Sequence, residues 1–255
     1  MTIGIGFLCE DGIVLCADNQ ITWPQSHKDY ECKIYRHGDA DWSMISTFSV
    51  DPDLVKSFNG KFKDAMSKVA APYTAAKIQD VIETVLSFLD ILDANPSDLW
   101  MLCAVAIPNS EMRLVRTTGK VVSEVGAYSY VGVGDSSLLR YLGQLITDVQ
   151  FHRPYRADQA YMLATYLVLK AKTHIEGCGG DTDAYVLRPS GHVEIRNGDT
   201  YNTEQPMLRI ESKVKVVASC FFDKRMSDEN FAKALQSLVK VLTDDHREIA
   251  NRMWA

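Results

Sequence analysis

The chain has 255 residues, of which 46% are hydrophobic and 24% are charged, and its formal net charge at pH 7 is −6. This composition is typical of a soluble globular protein, and the length allows one large domain with a sizeable core. The acidic balance, without a dense Lys/Arg stripe, argues against a nucleic-acid partner. The longest apolar stretches are too short to span a bilayer and no signal-peptide pattern opens the chain, so we expect a cytoplasmic protein without membrane contact.

The six cysteines are scattered, without a C-x-x-C pair or a histidine at metal-ligand spacing. Several lie inside apolar runs, as buried thiols do. We therefore expect reduced thiols, no metal site and no cofactor.

The first elements are predicted to be strands. Two β-rich runs, residues 3–9 and 12–18, predict an N-terminal hairpin because a D-G turn signal separates them. After a polar loop of residues 19–31, a third strand is expected near Lys33 and a fourth over about 42–50.

Two helices follow. Asp51-Pro52 combines an N-cap acid with a proline at the first helical position. Apolar residues then recur every four positions, at Leu54, Phe58, Phe62 and Met66. A second apolar stripe predicts a helix from about Thr74 to Leu92.

The rest of the chain repeats this order of strands and helices. The further predicted elements are strands over about 100–107, 112–117, 120–124 and 128–133, helices over 135–149 and 156–176 with Gly177 as the C′ residue, strands over 182–187 and 192–196, and a final helix over 227–249. Helix pairs alternate with groups of strands, which disfavours a doubly wound sheet. Because each helix pair needs a sheet face to cover, we predict an α+β fold, a four-layer αββα sandwich with an extra C-terminal helix. We expect a single domain over 1–255, with a core of about 2–200 and an extension of about 201–255.

The start of the chain carries a candidate nucleophile. Methionine is generally removed from Met-Thr starts because threonine is small, and its removal leaves Thr2 with a free α-amine beside its hydroxyl. The ordinary pKa of an α-amine, roughly 7.7–8.0, suits a general base. A lysine held by an acid would favour the free amine and the alkoxide. Asp18 ends the second predicted strand and Lys33 begins the third, so both can converge on the chain start.

A series of short pieces accompanies these residues. They are Thr2, Ile5-Gly6, Asp11-Gly12, the run 14–22, Lys33-Ile34-Tyr35, Asp51, Val131-Gly132-Val133-Gly134, Gly179-Gly180 and Asp183. In this order and spacing, over roughly residues 2–200, the chain resembles the β-type subunits of the proteasome and the related bacterial ring peptidases, which are N-terminal nucleophile hydrolases with the αββα fold. The resemblance implies that Thr2 is nucleophile and base, that Lys33 lowers its pKa, and that Asp18 positions Lys33.

The resemblance also implies roles around these three residues. The main-chain N–H of Thr47 falls where the family builds its oxyanion hole. Ile45 is placed at the base of the pocket for the residue before the cut, where an apolar floor favours apolar or uncharged side chains. Asp135 stands in place of a supporting serine, with Ser136 next to it, and Cys178 replaces the serine of a Ser-Gly-Gly motif.

Two further positions depart from the family pattern. The family commonly has glycine where Thr47 stands, so its side chain crowds the expected substrate channel. The acid that normally precedes the Ser-Gly-Gly motif maps to Ile175, with Glu176 one position away.

We therefore expect a threonine endopeptidase that cleaves peptides or unfolded proteins through an acyl-enzyme ester on Thr2 after Met1 is removed. The resemblance implies a homo-oligomer, as a ring or related assembly, and an ATP-dependent unfoldase as a possible partner. Two alternatives stay open: a non-catalytic structural subunit with the same fold, and an N-terminal nucleophile amidase acting on small amides.

Other local patterns have simpler explanations. Cys178 with His174 one turn earlier is an alternative nucleophile pair, but His174 is also favoured by the helix dipole. Gly132-x-Gly134 lacks a phosphate-binding lysine, and a tight turn explains it. The acids among residues 181–183 could suggest a cation site, but a polar entrance to a strand explains them better.

Overall fold

The computed structural model describes residues 3–22, 28–49, 52–91, 100–132, 155–223 and 225–253. The strands are β1 (Ile3–Cys9), β2 (Gly12–Asp18), β3 (Gln20–Thr22), β4 (Lys28–Tyr30), β5 (Ile34–Gly38), β6 (Ser43–Ser49), β7 (Trp100–Ile107), β8 (Glu111–Thr118), β9 (Val121–Glu124), β10 (Tyr128–Gly132), β11 (Thr182–Leu187) and β12 (Val193–Ile195). The helices are α1 (Pro52–Met66), α2 (Ala75–Ile91), α3 (Ala157–His174), α4 (Asn197–Phe222) and α5 (Asp228–Met253). The predicted α+β class is confirmed.

The chain divides into two compact units, Met1–Thr200 and Tyr201–Ala255. The first unit contains two five-stranded antiparallel sheets. Sheet I has the order β10-β1-β2-β11-β12, and sheet II has the order β5-β6-β7-β8-β9. The predicted N-terminal hairpin therefore lies inside sheet I, with Gly4 opposite Ala17.

Strand alternation distributes the apolar side chains of the first unit over three cores. The first core joins α1 and α2 to sheet II, and its largest buried members are Phe58, Phe62, Met44, Ile78, Ile82 and Leu86. The inter-sheet core contains residues of both sheets, among them Ile13, Leu15, Ile45, Leu102 and Leu114. The third core joins sheet I to α3 through residues such as Ile3, Ile5, Phe7, Tyr161 and Val168.

The predicted apolar stripe of α1 is largely confirmed. Phe58, Phe62 and Met66 are buried, and the Phe58 and Phe62 rings stack with their centroids 5.8 Å apart. Val55 is buried in place of Leu54, which is partly exposed and packs at the edge of the same core. The stripe therefore begins one residue later than the four-residue spacing indicated.

Other predictions need correction. The loop expected over 19–31 contains the short ribbon β3–β4. Helix α3 ends at His174 with Ile175 as its C-cap, so Gly177, with φ of 87°, lies two residues beyond the cap rather than at C′. The helix expected over 135–149 lies outside the described residues.

The sequence interpretation missed α4. This helix contains Pro206, which removes one main-chain donor and normally breaks or kinks a helix. In the second unit, Arg209 of α4 donates to Asp245 of α5 at 2.6 Å and to Glu248 at 3.3 Å, which links the two helices. Within the described ranges, no helix is both long and apolar enough to cross a membrane.

Candidate functional site

Four segments of the first unit meet at one end of sheet I. The antiparallel pairing of β1 and β2 brings the start of β1 beside Asp18 at the end of β2, and β11 pairs Thr182 with Asp18 on the other side. The segment before β5 supplies Lys33, and the turn between α3 and β11 supplies Cys178 and Gly179.

Asp18 is the centre of this arrangement. Its side chain is fully buried, and its Oδ1 accepts hydrogen bonds from the main-chain N–H of Ile3 at 2.9 Å and from Lys33 Nζ at 3.1 Å. Its Oδ2 accepts from the main-chain N–H of Gly179 at 3.1 Å. Three donors, one of them charged, compensate the burial of an ionised carboxylate.

Lys33 is held between an acid and a carbonyl. It is 6% exposed, and its Nζ donates to Asp18 and also to the main-chain oxygen of Gln20 at 2.5 Å. Burial lowers the pKa of Lys33, and the adjacent Asp18 carboxylate opposes that shift. The ammonium of Lys33 therefore depends on nearby negative charge to stay protonated.

A close backbone approach fixes the turn that follows α3. A Cβ at Gly179 would collide with the side chain of Gln20, and the main-chain oxygen of Gly179 accepts from the N–H of Gln20 at 3.2 Å. A larger residue at position 179 would therefore require Gln20 to move, and the next residue, Gly180, has a φ of 73°, a left-handed conformation that favours glycine. The Gly179-Gly180 pair thus shapes the turn beside Asp18.

Cys178 lies next to this pair and is buried. Burial raises the pKa of its thiol to about 11, the Asp18 charge adds to the rise, and Lys33 opposes it. The thiolate is the nucleophilic form of cysteine, so this thiol is poorly suited to attack at neutral pH. His174, its suggested base, is exposed at the end of α3. The geometry thus disfavours the Cys178 nucleophile.

Ile45 and Thr47 of β6 face the space between the sheets. Ile45 belongs to the inter-sheet core and is fully buried. Thr47 is also fully buried and points at the start of β1, where a Cβ on Gly4 would lie 2.5 Å from Thr47 Cγ2. The side chain of Thr47 is thus matched by a glycine on the opposite sheet.

Other sequence-predicted site residues cannot be placed. Thr2, Asp135 and Ser136 lie outside the described residues. What the structure brings together is Asp18, Lys33 and Cys178, at the main chain that directly follows Thr2.

Asp183, which belongs to the short pieces that carry the resemblance, is a further buried acid of the first unit. It lies in β11, where every residue is buried, and its Oδ1 accepts from Asn197 Nδ2 at 2.6 Å. Burial raises the pKa of Asp183, and the nearby Cys32 and Lys33 oppose the shift. The interpretation of residues 181–183 as a polar strand entrance did not anticipate that Asp183 is buried.

The described part of the site is built around the ion pair of Asp18 and Lys33. Within the described segments, no group of three or more His, Cys, Asp or Glu side chains could hold a metal ion. A buried carboxylate orients a buried ammonium and, through the same oxygen, the N–H of Ile3. Such a pair can hold a positive charge close to a reacting group at the chain start.

No protein-family model and no curated protein matches the chain. Solved structures with a similar fold include an Anbu (Gly-1) mutant from Hyphomicrobium sp. strain MC1, at 13% identity and TM-score 0.70, covering 85% of this chain and 97% of that chain. Anbu, described as an ancestral beta-subunit, from Yersinia bercovieri gives 12% identity and TM-score 0.69, covering 89% and 100% of the two chains. A helical assembly of the Anbu complex from Pseudomonas aeruginosa gives 11% identity and TM-score 0.61, covering 84% and 95%.

These matches correct the family expected from the sequence. The similar structures are Anbu proteins, which are proteasome-like but form a distinct family, so the assignment to the proteasome β-type subunits and bacterial ring peptidases was wrong. At identities of 11–13% the likeness concerns the fold.

Proposed function

We propose that the chain is a threonine-type peptidase subunit of a proteasome-like particle, in which Thr2 becomes the N-terminal nucleophile once Met1 is removed. One observation carries the proposal: Asp18 Oδ1 accepts both the Lys33 ammonium and the N–H of Ile3, the residue directly after Thr2. A single buried oxygen therefore ties the candidate cation to the start of the chain.

The order of the apolar cores supports the finer fold assignment within this proposal. Helices α1 and α2 pack on sheet II, sheet II packs on sheet I, and sheet I packs on α3. From this order we infer a four-layer αββα sandwich of the N-terminal nucleophile type. The scaffold does not fix the substrate, so the chemistry rests on the site.

The proposed reaction uses the two groups of Thr2 as nucleophile and base. The hydroxyl oxygen attacks the carbonyl carbon of the scissile peptide bond, and the α-amine takes the hydroxyl proton. The main-chain N–H of Thr47 serves as a donor to the oxyanion. The α-ammonium then returns the proton to the leaving amine, and a water molecule, deprotonated by the same amine, hydrolyses the ester on Thr2.

Lys33 and Asp18 act on this reaction through charge. A cation near Thr2 lowers the pKa of the α-amine and of the hydroxyl, which favours the free base and the developing alkoxide. Burial alone would push Lys33 toward its neutral form, and Asp18 opposes this. Asp18 is thus the positioning acid of Lys33.

We also propose that copies of the chain assemble with one another. The similar structure from Pseudomonas aeruginosa is a helical assembly of the Anbu complex, and the fold likeness supports the proposal that this chain also forms a homo-oligomer. A site enclosed by copies of the chain would admit peptides and unfolded proteins and exclude folded ones. An ATP-dependent unfoldase would be the matching partner.

The test compares two lysine variants from the same part of the chain. Lys33→Ala should lower kcat/KM for peptide hydrolysis by about 100-fold or more, because the cation beside the nucleophile is lost. Lys28→Ala removes an exposed lysine from β4 and should leave hydrolysis and oligomer size unchanged. Equal activity of both variants would argue against the proposed role of Lys33, and activity that persists in Thr2→Ala would exclude the N-terminal nucleophile.

A further inference from the structure

The face of sheet II that meets sheet I carries a half-buried arginine among apolar residues. Arg116 lies in β8 opposite Leu102 of β7, and Leu102 lies opposite Thr47 of β6. Leu114 belongs to the inter-sheet core, and side chains two residues apart in a strand share a face, so Arg116 lies on the inter-sheet face as well. A charge on such a face is costly unless a partner compensates it.

Two aromatic rings flank the guanidinium of Arg116. Its Cζ lies 5.1 Å from the ring centroid of Trp100 in β7 and 5.9 Å from that of Tyr130 in β10, the edge strand of sheet I. Both distances allow a cation–π contact. Such contacts hold a guanidinium in place while its N–H groups still donate hydrogen bonds within its own plane. The rings therefore position the Arg116 head beside the β10 edge of sheet I.

Arg116 has no ion pair with any carboxylate in the part of the chain that the structure describes. Its Nε is buried and has no hydrogen-bond partner there. By contrast, the other half-buried arginines described in the first unit each pair with at least one carboxylate; they are Arg113, Arg188 and Arg196. Because arginine stays protonated, Arg116 is a fixed positive charge with unused donors, which complements a carboxylate.

The row of Thr47, Leu102 and Arg116 connects this charge with the proposed reaction. The main-chain N–H of Thr47 is the proposed donor to the oxyanion, and neighbouring strands are about 4.8 Å apart, so the main chain of Arg116 lies about 10 Å from that of Thr47. An extended peptide covers this distance in about three residues. A peptide bound at Thr47 can therefore present a carboxylate to Arg116 when its acid lies about three residues from the cut.

We propose that Arg116, held between Trp100 and Tyr130, is a specificity-determining residue that binds a carboxylate of the peptide substrate. The inference rests on the proposed function, because it takes Thr47 to mark the position of the cut. The carboxylate is an acidic side chain or the C-terminal group of the peptide, since a guanidinium forms the same two parallel hydrogen bonds with each. Arg116 thus favours acidic over uncharged peptides.

Matched peptides measure this preference. One series of nine-residue peptides carries a single glutamate, or a glutamine at the same position, and a second series ends in a free carboxylate or an amide. Mass spectrometry locates the cut in each peptide. Where the acid lies about three residues from the cut, we expect kcat/KM to exceed that of the amide counterpart by about 10-fold or more, mainly through a lower KM. The series that shows the effect identifies the source of the carboxylate.

Variants assign the preference to Arg116. Arg116→Gln should reduce the ratio of acid to amide to about one. Arg116→Lys keeps the charge but not the planar fork, so it should retain only part of the ratio. The matched control is Arg113→Gln, which removes a half-buried arginine of the same strand that pairs with Glu111, and it should leave the ratio unchanged. If Arg116→Gln does not fold, a wild-type ratio in Arg116→Lys refutes the inference.

Binding without turnover separates the inference from the proposed function. In Thr2→Ala, fluorescence anisotropy of the same labelled peptides should show tighter binding of the acid, and Arg116→Gln in that background should abolish the difference. This result, together with a wild type that never cleaves peptides, refutes the peptidase proposal alone. An active enzyme that ignores the peptide charge in both series refutes the inference alone. An acid preference that survives Arg116→Gln while the oligomer changes size also refutes it, and assigns Arg116 to an acid of a neighbouring copy.

Discussion

Replacing one partner of the Asp18–Lys33 pair should destabilise the first unit strongly, whereas replacing both partners together should cost much less. In Asp18→Asn the ammonium of Lys33 stays buried without its charged acceptor, while the amide oxygen can still accept from the N–H of Ile3. In Lys33→Met the carboxylate of Asp18 keeps the N–H donors of Ile3 and Gly179 but loses the cation.

The magnitude follows from the burial of both partners. Asp18 is fully buried and Lys33 is 6% exposed, so solvent screens the pair little. Removing one partner of a buried pair typically costs about 3–5 kcal/mol in the free energy of unfolding, whereas replacing both with apolar or neutral groups is close to neutral. We therefore expect about 3 kcal/mol for Asp18→Asn and a substantially smaller cost for Asp18→Asn combined with Lys33→Met.

The destabilisation caused by Asp18→Asn should also depend on pH, in a direction that the pKa of Lys33 determines. The pKa of Lys33 in the folded protein lies below its unfolded value of 10.5, so the unfolded chain binds more protons between the two values. Stability contributed by this group therefore rises with pH across that window. Asp18→Asn lowers the folded pKa further, so its destabilisation should be smaller at pH 9 than at pH 7.

Urea unfolding of the wild type, both single variants and the double variant at these two pH values measures the effect as a double-mutant cycle. The reasoning is refuted if the single costs are each below about 1 kcal/mol and add up in the double variant. A destabilisation by Asp18→Asn that grows from pH 7 to pH 9 would refute the assigned sign.

Three further predictions concern neighbouring positions. Gly4→Ala should destabilise the protein by about 1–3 kcal/mol because its Cβ meets Thr47 Cγ2 at 2.5 Å, and Thr47→Gly should restore most of the loss in thermal melts. The thiol of Cys178 should react slowly with iodoacetamide at pH 7.5 and faster toward its pKa of about 11, so peptide mapping that finds rapid labelling at pH 7.5 would contradict its burial. The hydrogen bond from Arg188 lowers the pKa of Glu194 to about 2. At pH values above the ordinary carboxyl pKa of 4.5, Glu194 should therefore contribute about 1–3 kcal/mol to the free energy of unfolding. That contribution should disappear as pH falls toward 2, so unfolding curves of Glu194→Gln and the wild type should differ at pH 7 and converge at low pH.

Much of the first unit was predictable because its strands and helices carry strong periodic patterns. The hairpin of β1 and β2 follows from two apolar runs around a D-G turn, and β7 follows from a continuous apolar run that is covered on both faces. The stripe of Phe58 and Phe62 located α1, with the first turn shifted by one residue.

The missed elements have weak or contradictory local signals. The ribbon β3–β4 consists of short strands among polar residues, and β4 is exposed throughout. Helix α4 carries Pro206 and a glycine near its start, both of which indicate a break. Its tertiary bonds, such as that of Arg209 to Asp245, have no counterpart in the local pattern.

The candidate site was predicted in part. Pairing of β1 with β2 explains why Asp18 comes to the chain start, and the structure places Lys33 against it at 3.1 Å. The burial of Asp183 was not predictable, because it depends on packing and on a bond from Asn197 that form only in the folded chain. The family was misassigned because the short pieces that carried the resemblance do not separate the proteasome β-type subunits from the Anbu proteins, whose fold this chain resembles.

Intact mass and N-terminal sequencing, before and after treatment with a peptidyl epoxyketone, test most directly whether Thr2 is an N-terminal nucleophile. Such a reagent forms a ring with both the hydroxyl and the α-amine of an N-terminal threonine. The proposal predicts a chain that begins at Thr2, a single added reagent on that residue, and loss of labelling in Lys33→Ala with retention in Lys28→Ala. A chain that retains Met1 and never labels would contradict the peptidase and favour a non-catalytic subunit with the same fold.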